Sequence, residues 1–299
     1  MFGFVYRAAQ VPPVCRFVLH LIVYSSLYLS VAGAAMVYVS CLLQGLPFDP
    51  VAAVILMLVT FAVYNLNRKT DEDEDAINHS ERYAFTKEYG PVLFRSAAAA
   101  YIIALCISAC LGFESLLVTA VPLIAGVVYS VPLFPILLGF RRLKEVPFMK
   151  SLIVAFSWAV PPALLPVCHA ALPASSAAGI VGVFFFLLVF TNTVVFDIRD
   201  MEGDMASGVK TIPAILGTQR ALLLLTGINV SLGAALVLAG GFLPGSCTAL
   251  MLAAGIVYAQ GYVLYFQRLR TKKLLFELLA DGQFIVLGDV VYLLTLAMP

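Results

Sequence analysis

Charged residues are scarce in this chain of 299 residues, where Asp, Glu, Lys and Arg together make up only 12%. A soluble protein usually contains about 25% charged and about 45–50% apolar residues. Here 62% of the residues are hydrophobic, and the mean hydropathy is +1.00. Such a chain cannot cover a water-facing surface, so the composition excludes soluble enzymes and disordered chains. It predicts an integral membrane protein.

Residues that commonly form crosslinks or zinc sites are also few, since the chain has six cysteines and three histidines. The cysteines form no Cys-x-x-Cys pair and have no zinc-site spacing to a histidine, so we interpret them as buried apolar residues. The 18 basic and 17 acidic residues leave a net charge of +1. This balance gives no indication of a nucleic-acid partner.

What the chain does contain is long apolar runs. A helix that crosses a bilayer needs about 20 predominantly apolar residues. We therefore predict a single-domain, all-α, polytopic membrane protein over residues 1–299, with nine transmembrane helices at 16–43, 50–67, 92–111, 115–138, 149–170, 176–197, 220–242, 246–267 and 274–297.

The basic residues between these runs lie on one side only. All 18 Lys and Arg residues fall in the N-terminal segment or in the connections 66–95, 139–150, 198–220 and 268–273. The alternate connections contain none. Because positive charge accumulates in cytoplasmic loops, this partition predicts a cytoplasmic N-terminus and a multi-pass protein of the cell membrane.

Two acidic stretches follow the second and sixth predicted helices, which run in the same direction. The first places oxygen-bearing side chains four residues apart, at Asn67, Asp71 and Asp75. The second repeats that spacing at Asp200 and Asp204, with Asp197 one turn earlier. A spacing of four aligns side chains along one face of a helix. Stacked carboxylates need a cation, and Mg²⁺ prefers such oxygen ligands together with substrate phosphates.

Both stretches end on the same predicted side, so the sequence predicts a Mg²⁺–diphosphate site there that faces the cytoplasm. Basic residues on the same side would neutralise a bound diphosphate and assist its departure. The candidates are Arg142, Lys144, Lys150 and Lys210.

These residues resemble the motifs of the UbiA superfamily of intramembrane prenyltransferases. Asn67, Asp71 and Asp75 match its NxxxDxxxD motif, and Asp200 and Asp204 match its DxxxD motif. The segment Gly208-Val209-Lys210-Thr211-Ile212-Pro213 is similar to the usual continuation of the second motif. Arg68 departs from the pattern, because an acidic residue commonly follows the Asn.

The resemblance implies nine helices around a central cavity and transfer of a prenyl group from a polyprenyl diphosphate to a small acceptor within membrane lipid. Such acceptors are usually aromatic, as in lipid-quinone biosynthesis. It implies Mg²⁺ held by Asn67, Asp71, Asp200 and Asp204. Asp75 or Asp197 would orient or deprotonate the acceptor, and the ring of Tyr129 would stabilise an allylic cation.

Three alternatives remain open at this point. The acceptor can instead be a non-aromatic glycerol-phosphate lipid. A CDP-alcohol phosphotransferase would need a compact DGxxAR-type motif, and no Asp here begins one. A divalent-cation carrier would need polar residues across the membrane, whereas the second to eighth predicted helices contain few charges in mid-membrane.

Overall fold

The computed structural model describes residues 13–70, 72–130, 132, 140, 142–244 and 247–297. Within these ranges all regular secondary structure is helical, as the sequence predicts. The α-helices are α1 (Pro13–Tyr24), α2 (Leu27–Leu43), α3 (Pro50–Thr70), α4 (Glu72–Asn78), α5 (Ser80–Leu111), α6 (Phe113–Ser130), α7 (Met149–His169), α8 (Ser176–Arg199), α9 (Met201–Ala206), α10 (Ile212–Leu216), α11 (Thr218–Ala239), α12 (Thr248–Leu269), α13 (Lys273–Asp281) and α14 (Gln283–Ala297).

Seven of the described helical segments are long and apolar enough to cross a membrane: Pro50–Thr70, Ser80–Leu111, Phe113–Ser130, Met149–His169, Ser176–Arg199, Thr218–Phe242 and Thr248–Leu269. An eighth span results if α1 and α2 are counted together, since they form a pair bent by 58°. The bend lies at Ser26, whose φ of 65° is left-handed and ends the first helix.

The predicted count of nine spans is not confirmed in the described part of the chain. The predicted last span, 274–297, is divided at Gly282 into α13 and α14, and neither part is long enough to cross a bilayer alone. The break lies beside Tyr28, whose hydroxyl donates to the carbonyl of Leu278 at 2.8 Å. In the predicted fourth span, α6 ends at Ser130, and residues 133–139 lie outside the described residues.

The core lies where α2, α3, α7 and α8 pack, and it is formed by fully buried aliphatic and aromatic side chains such as Leu56, Phe184 and Phe185. Close packing depends on a small residue between α2 and α3. A Cβ atom at Gly33 would lie 2.6 Å from the hydroxyl oxygen of Thr60, so only glycine fits there without a shift.

The helix ends define two ends of the molecule. α3 and α8 end, and α7 begins, at what we name the basic end, where the Lys- and Arg-containing connections lie. At the opposite end, His169 contacts Asp49 through Nδ1 (2.6 Å) and Ser115 through Nε2 (3.0 Å). The other carboxylate oxygen of Asp49 accepts from the backbone N–H groups of Val51 and Ala52, both at 2.9 Å, and so caps α3.

Candidate active site

The two acidic stretches meet at the basic end, although 122 residues separate Asn78 from Asp200. Asn78 ends α4, and its Nδ2 donates to the backbone carbonyl of Asp200 at 3.0 Å. The backbone N–H of Gly203 in α9 donates to Asn78 Oδ1 at 3.1 Å. A Cβ atom at Gly203 would lie only 2.4 Å from Asn78 Nδ2, so the contact requires glycine. One asparagine thus joins the two stretches.

A central cavity of about 230 Å³ lies beside this junction. Its walls come from α1, α2, α3, α4, α5, α7, α8 and α13. Five of the site residues predicted from the sequence line it: Asn67, Asp75, Lys150, Asp197 and Asp200. Residues from distant parts of the chain therefore share one cavity at the end of the molecule that the charge pattern indicates.

Lys150, in the first turn of α7, connects three parts of the site. Its Nζ lies 2.7 Å from both carboxylate oxygens of Asp204 and 2.9 Å from Asp197 Oδ1. Ser151 donates its hydroxyl hydrogen to Asp197 Oδ2 at 2.7 Å. Burial raises the pKa of Asp204 to about 7, and repulsion from Asp197 acts in the same direction. The attraction of Lys150 lowers this pKa but does not outweigh burial. Two carboxylates therefore share one ammonium group.

Asp200 is held differently, by a bidentate contact with its neighbour Arg199. The Nε and Nη2 atoms of Arg199 lie 2.7 and 2.8 Å from the two oxygens of Asp200, and His79 Nε2 lies 3.1 Å from one of them. Burial alone would raise the pKa of Asp200, but Arg199 and His79 outweigh it and hold the pKa well below its ordinary value. Arg199 also contacts Glu277 of α13 at 3.2 Å.

The first acidic stretch contributes fewer described contacts. Asp75 is buried and accepts from Arg82 Nη2 at 2.5 Å. Asn67 lines the cavity through α3. Asp71, one of the predicted metal ligands, lies outside the described residues.

The remaining predicted residues lie away from the central cavity. Lys144 is almost completely buried, and its Nζ lies 5.6 Å from the centroid of the Tyr129 ring. Arg142 pairs with Glu145 at 2.5 Å. Lys210 is exposed. Of the four predicted basic residues, Lys150 is the one whose described contacts include Asp197 and Asp204.

The donor chemistry of the site suits a hard divalent cation, because carboxylate and amide oxygens predominate. Asp197 and Asp204 carry two carboxylates against one ammonium, an excess of negative charge that a cation would relieve. Among the described residues, no group of three His, Cys, Asp or Glu side chains is arranged around one metal position. The carboxylates instead contact Lys150, Arg199 and Arg82.

Six side chains of the site were not predicted from the sequence: Asn78, His79, Arg82, Ser151, Arg199 and Glu277. The first three follow the first acidic stretch within seven residues, so their proximity was the available signal. Glu277 carries no such signal, because only the packing of α13 brings it to Arg199.

The comparisons with known proteins agree with this architecture. The sequence matches the UbiA prenyltransferase family over residues 26–280. The digeranylgeranylglyceryl phosphate synthase of Methanothrix thermoacetophila is 28% identical over 199 residues, which cover 64% of this chain and 69% of that protein. The enzyme of the same name from Thermococcus kodakarensis is 35% identical over 80 residues, or 27% of this chain and 28% of that protein.

Two solved structures share the fold. A UbiA homolog from Aeropyrum pernix K1 has a TM-score of 0.66 at 19% identity, covering 88% of this chain and 98% of that one. A UbiA homolog from Archaeoglobus fulgidus, solved with DMAPP and Mg²⁺, has a TM-score of 0.63 at 17% identity, covering 91% and 98%. At these identities the likeness concerns the fold.

Proposed function

The chain belongs to the UbiA prenyltransferase family, and from this premise we propose that it transfers a prenyl group from its diphosphate to a hydroxyl of a glycerol-phosphate lipid. Family membership makes the chain a prenyltransferase and favours an enzyme over the cation carrier. The observation that carries the proposal is the junction of the two acidic stretches beside a cavity that also contains Lys150. The active site would face the cytoplasm.

The named relatives favour a different acceptor class from the one that the motifs alone indicate. An aromatic acceptor and a role in quinone biosynthesis were expected first, with a glycerol-phosphate lipid as the alternative. The named relatives in Methanothrix and Thermococcus are digeranylgeranylglyceryl phosphate synthases. Their product name describes two geranylgeranyl groups on glyceryl phosphate, so these relatives favour the alternative.

In the proposed reaction, the acceptor hydroxyl oxygen forms a bond to C1 of the prenyl group. The bond between C1 and the diphosphate oxygen breaks, and its electron pair leaves with the diphosphate. Lys150 lies in the cavity wall, where it can contact the departing group. Lys144, Arg142 and Lys210 would add positive charge from farther away. Tyr129, whose ring lies near Lys144 and not in the lining of the central cavity, is not assigned the cation-stabilising role expected from the sequence.

Mg²⁺ accompanies DMAPP in the Archaeoglobus homolog, and we assign it to this chain on the chemistry of the donors. Asn67, Asp71, Asp200 and Asp204 would hold it. Neutralisation of the diphosphate is the chemistry that Mg²⁺ supplies when bound.

The hydroxyl proton needs an acceptor, and two carboxylates of the cavity wall are available. Asp75 contacts Arg82, and Asp197 contacts Lys150 and Ser151. Both are therefore fixed in orientation by a neighbouring donor, as a general base requires. The surrounding apolar helices would exclude water from the cation.

The test is a transfer assay on the purified full chain with geranylgeranyl diphosphate and Mg²⁺. The assay compares three conditions: geranylgeranylglyceryl phosphate as acceptor, a hydroxybenzoate as acceptor, and no acceptor. The readouts are diphosphate release and the mass of the product. We expect a diether of glyceryl phosphate that forms only with Mg²⁺. Transfer to the hydroxybenzoate alone would restore the aromatic acceptor, and no transfer to either would overturn the proposal.

Substitutions in the second acidic stretch test which residues take part in the transfer. Asp200→Ala and Asp204→Asn should each lower the transfer rate by about 10²–10³-fold while the thermal unfolding midpoint shows a folded protein. Glu202→Gln is the matched control, because this exposed acidic residue lies between them in the same stretch. Wild-type turnover in Asp204→Asn would contradict the assignment.

A further inference from the structure

A second cavity, which we name the side cavity, lies between α3, α4 and α5 and has a volume of about 330 Å³. It shares Arg68 and Asp75 with the central cavity, so the two adjoin along one wall. Its apolar lining includes Pro91, Leu93 and Phe94 of α5. Its charged lining residues are three basic ones, Arg68, Lys69 and Lys87, and two acidic ones, Glu72 and Asp75.

The charges around the side cavity do not cancel. Glu72 pairs with Lys87, and Asp75 pairs with Arg82. Arg68 donates only to neutral oxygens in its described contacts: the Tyr24 carbonyl, Asn65 Oδ1 at 3.2 Å and Ser26 Oγ at 2.8 Å. The Nζ of Lys69 lies over the Phe94 ring at 4.4 Å. Within the described residues, two cations therefore border the side cavity without a carboxylate contact.

Thr86 provides an independent observation. Its hydroxyl oxygen is buried and has no hydrogen-bond partner among the described residues, although Thr86 lines the side cavity. Buried hydroxyl groups are normally hydrogen-bonded, and leaving one unpaired is unfavourable. Rotation of the Thr86 side chain about χ1 would present this hydroxyl to an oxygen-rich ligand in the side cavity that Thr86 lines.

We propose that the side cavity binds the phosphate head of the acceptor lipid, an inference that relies on the proposed function for the identity of that lipid. Arg68, Lys69 and Thr86 would contact the phosphate, and Leu93 and Phe94 would contact the adjoining apolar chain. A phosphomonoester carries up to two negative charges, which matches the two cations without carboxylate contacts. The shared wall at Arg68 and Asp75 would place the acceptor hydroxyl toward the central cavity.

The experiment measures binding by calorimetry in detergent with the full chain, so its outcome does not depend on turnover. The probes are geranylgeranylglyceryl phosphate, the same lipid without phosphate, and inorganic phosphate. Lys69→Gln and Thr86→Val should each weaken binding of the phosphate lipid by about tenfold and change binding of the dephosphorylated lipid less than about twofold. Arg95→Gln is the control, because Arg95 is an exposed cation of α5 outside the cavity.

Thr86→Val also has a signature that general damage would not produce. Removing an unpaired buried hydroxyl should leave the thermal midpoint of the empty protein unchanged or higher, while affinity for the phosphate lipid falls. KM for geranylgeranyl diphosphate should stay at the wild-type value.

Unchanged binding of the phosphate lipid by both variants would overturn the side-cavity assignment even if wild-type transfer to that lipid occurs. Inorganic phosphate binding as tightly as the lipid would overturn the assignment to a lipid head. Loss of binding in Thr86→Val, in a protein that transfers only to aromatic acceptors, would support the phosphate site and contradict the proposed acceptor.

Discussion

At the basic end, Lys150 contacts Asp197 and Asp204 beside a cavity, whereas at the opposite end His169 contacts Asp49 and Ser115. Both clusters connect helices through short contacts between charged or polar groups. The first borders the central cavity, but none of the three residues at the opposite end lines either cavity described above. Polar clustering alone therefore does not identify a reactive site in this protein.

In the opposite-end cluster, Ser115 Oγ lies 3.0 Å from His169 Nε2, and His169 Nδ1 lies 2.6 Å from Asp49 Oδ2. These contacts are the ones that link Ser, His and Asp in a hydrolase triad. Ser115 is buried, and it lines neither the central cavity nor the side cavity. Asp49 also caps α3. We therefore interpret the cluster as a contact that holds helix ends together, and the adjoining cavity distinguishes the proposed catalytic end from the opposite end.

Removing the cation from the basic-end cluster should have the largest effect. Lys150→Met leaves Asp197 and Asp204 buried without an ammonium group, so the free energy of unfolding should fall by about 3–5 kcal/mol. Transfer activity should be lost. Added Mg²⁺ should raise the thermal midpoint of this variant more than that of the wild type, because it replaces the missing charge. Lys272→Met, an exposed lysine, is the control, and an equal Mg²⁺ response in both variants would contradict the expectation.

A substitution at the junction tests whether the two acidic stretches must touch. In Gly203→Ala, the new methyl group meets Asn78, and we expect about 1–3 kcal/mol of destabilisation together with loss of transfer. Chemical denaturation and the transfer assay measure these effects. Gly227→Ala in α11 has open space around it, so it should leave transfer unchanged and stability unchanged or higher by up to about 1 kcal/mol. Full activity in Gly203→Ala would show that the junction is dispensable.

A substitution at the opposite end should separate stability from catalysis. Asp49→Ala removes the cap of α3 and the partner of His169, which should cost about 1–2 kcal/mol of unfolding free energy. We expect kcat/KM per folded molecule to match the wild type. A lowered kcat/KM would indicate that the opposite end participates in the reaction.

The smallest effect is expected at an exposed cation of the basic end. Lys210→Met should raise KM for geranylgeranyl diphosphate by about threefold or less, because solvent screens exposed charges. Steady-state kinetics of Lys210→Met, compared with the control Lys272→Met, would measure this change in KM. A hundredfold change would place Lys210 in direct contact with the substrate.

The sequence was sufficient to predict that both acidic stretches lie at one end, because the charge pattern fixes helix direction. It did not reveal which cation contacts which carboxylate. Lys144 and Lys150 are equally plausible from spacing, and among the described contacts it is Lys150 that reaches Asp197 and Asp204. That choice depends on how α7 packs against α8, which local patterns do not encode.

The positions at which helices break could not be predicted from the sequence either. The apolar run at 274–297 is long enough for one span, but Gly282 divides it next to Tyr28. The side cavity also had no sequence signal, because it depends on the space left between α3 and α5.

The bend between α1 and α2 has a consequence for engineering. Arg68 donates to the Tyr24 carbonyl at the end of α1 and also borders both cavities. Any replacement there would alter the path of the chain and the chemistry of the pockets together. Libraries that seek a new acceptor range would best hold Arg68 fixed and diversify Thr86 and Leu93, whose changes leave that bend supported.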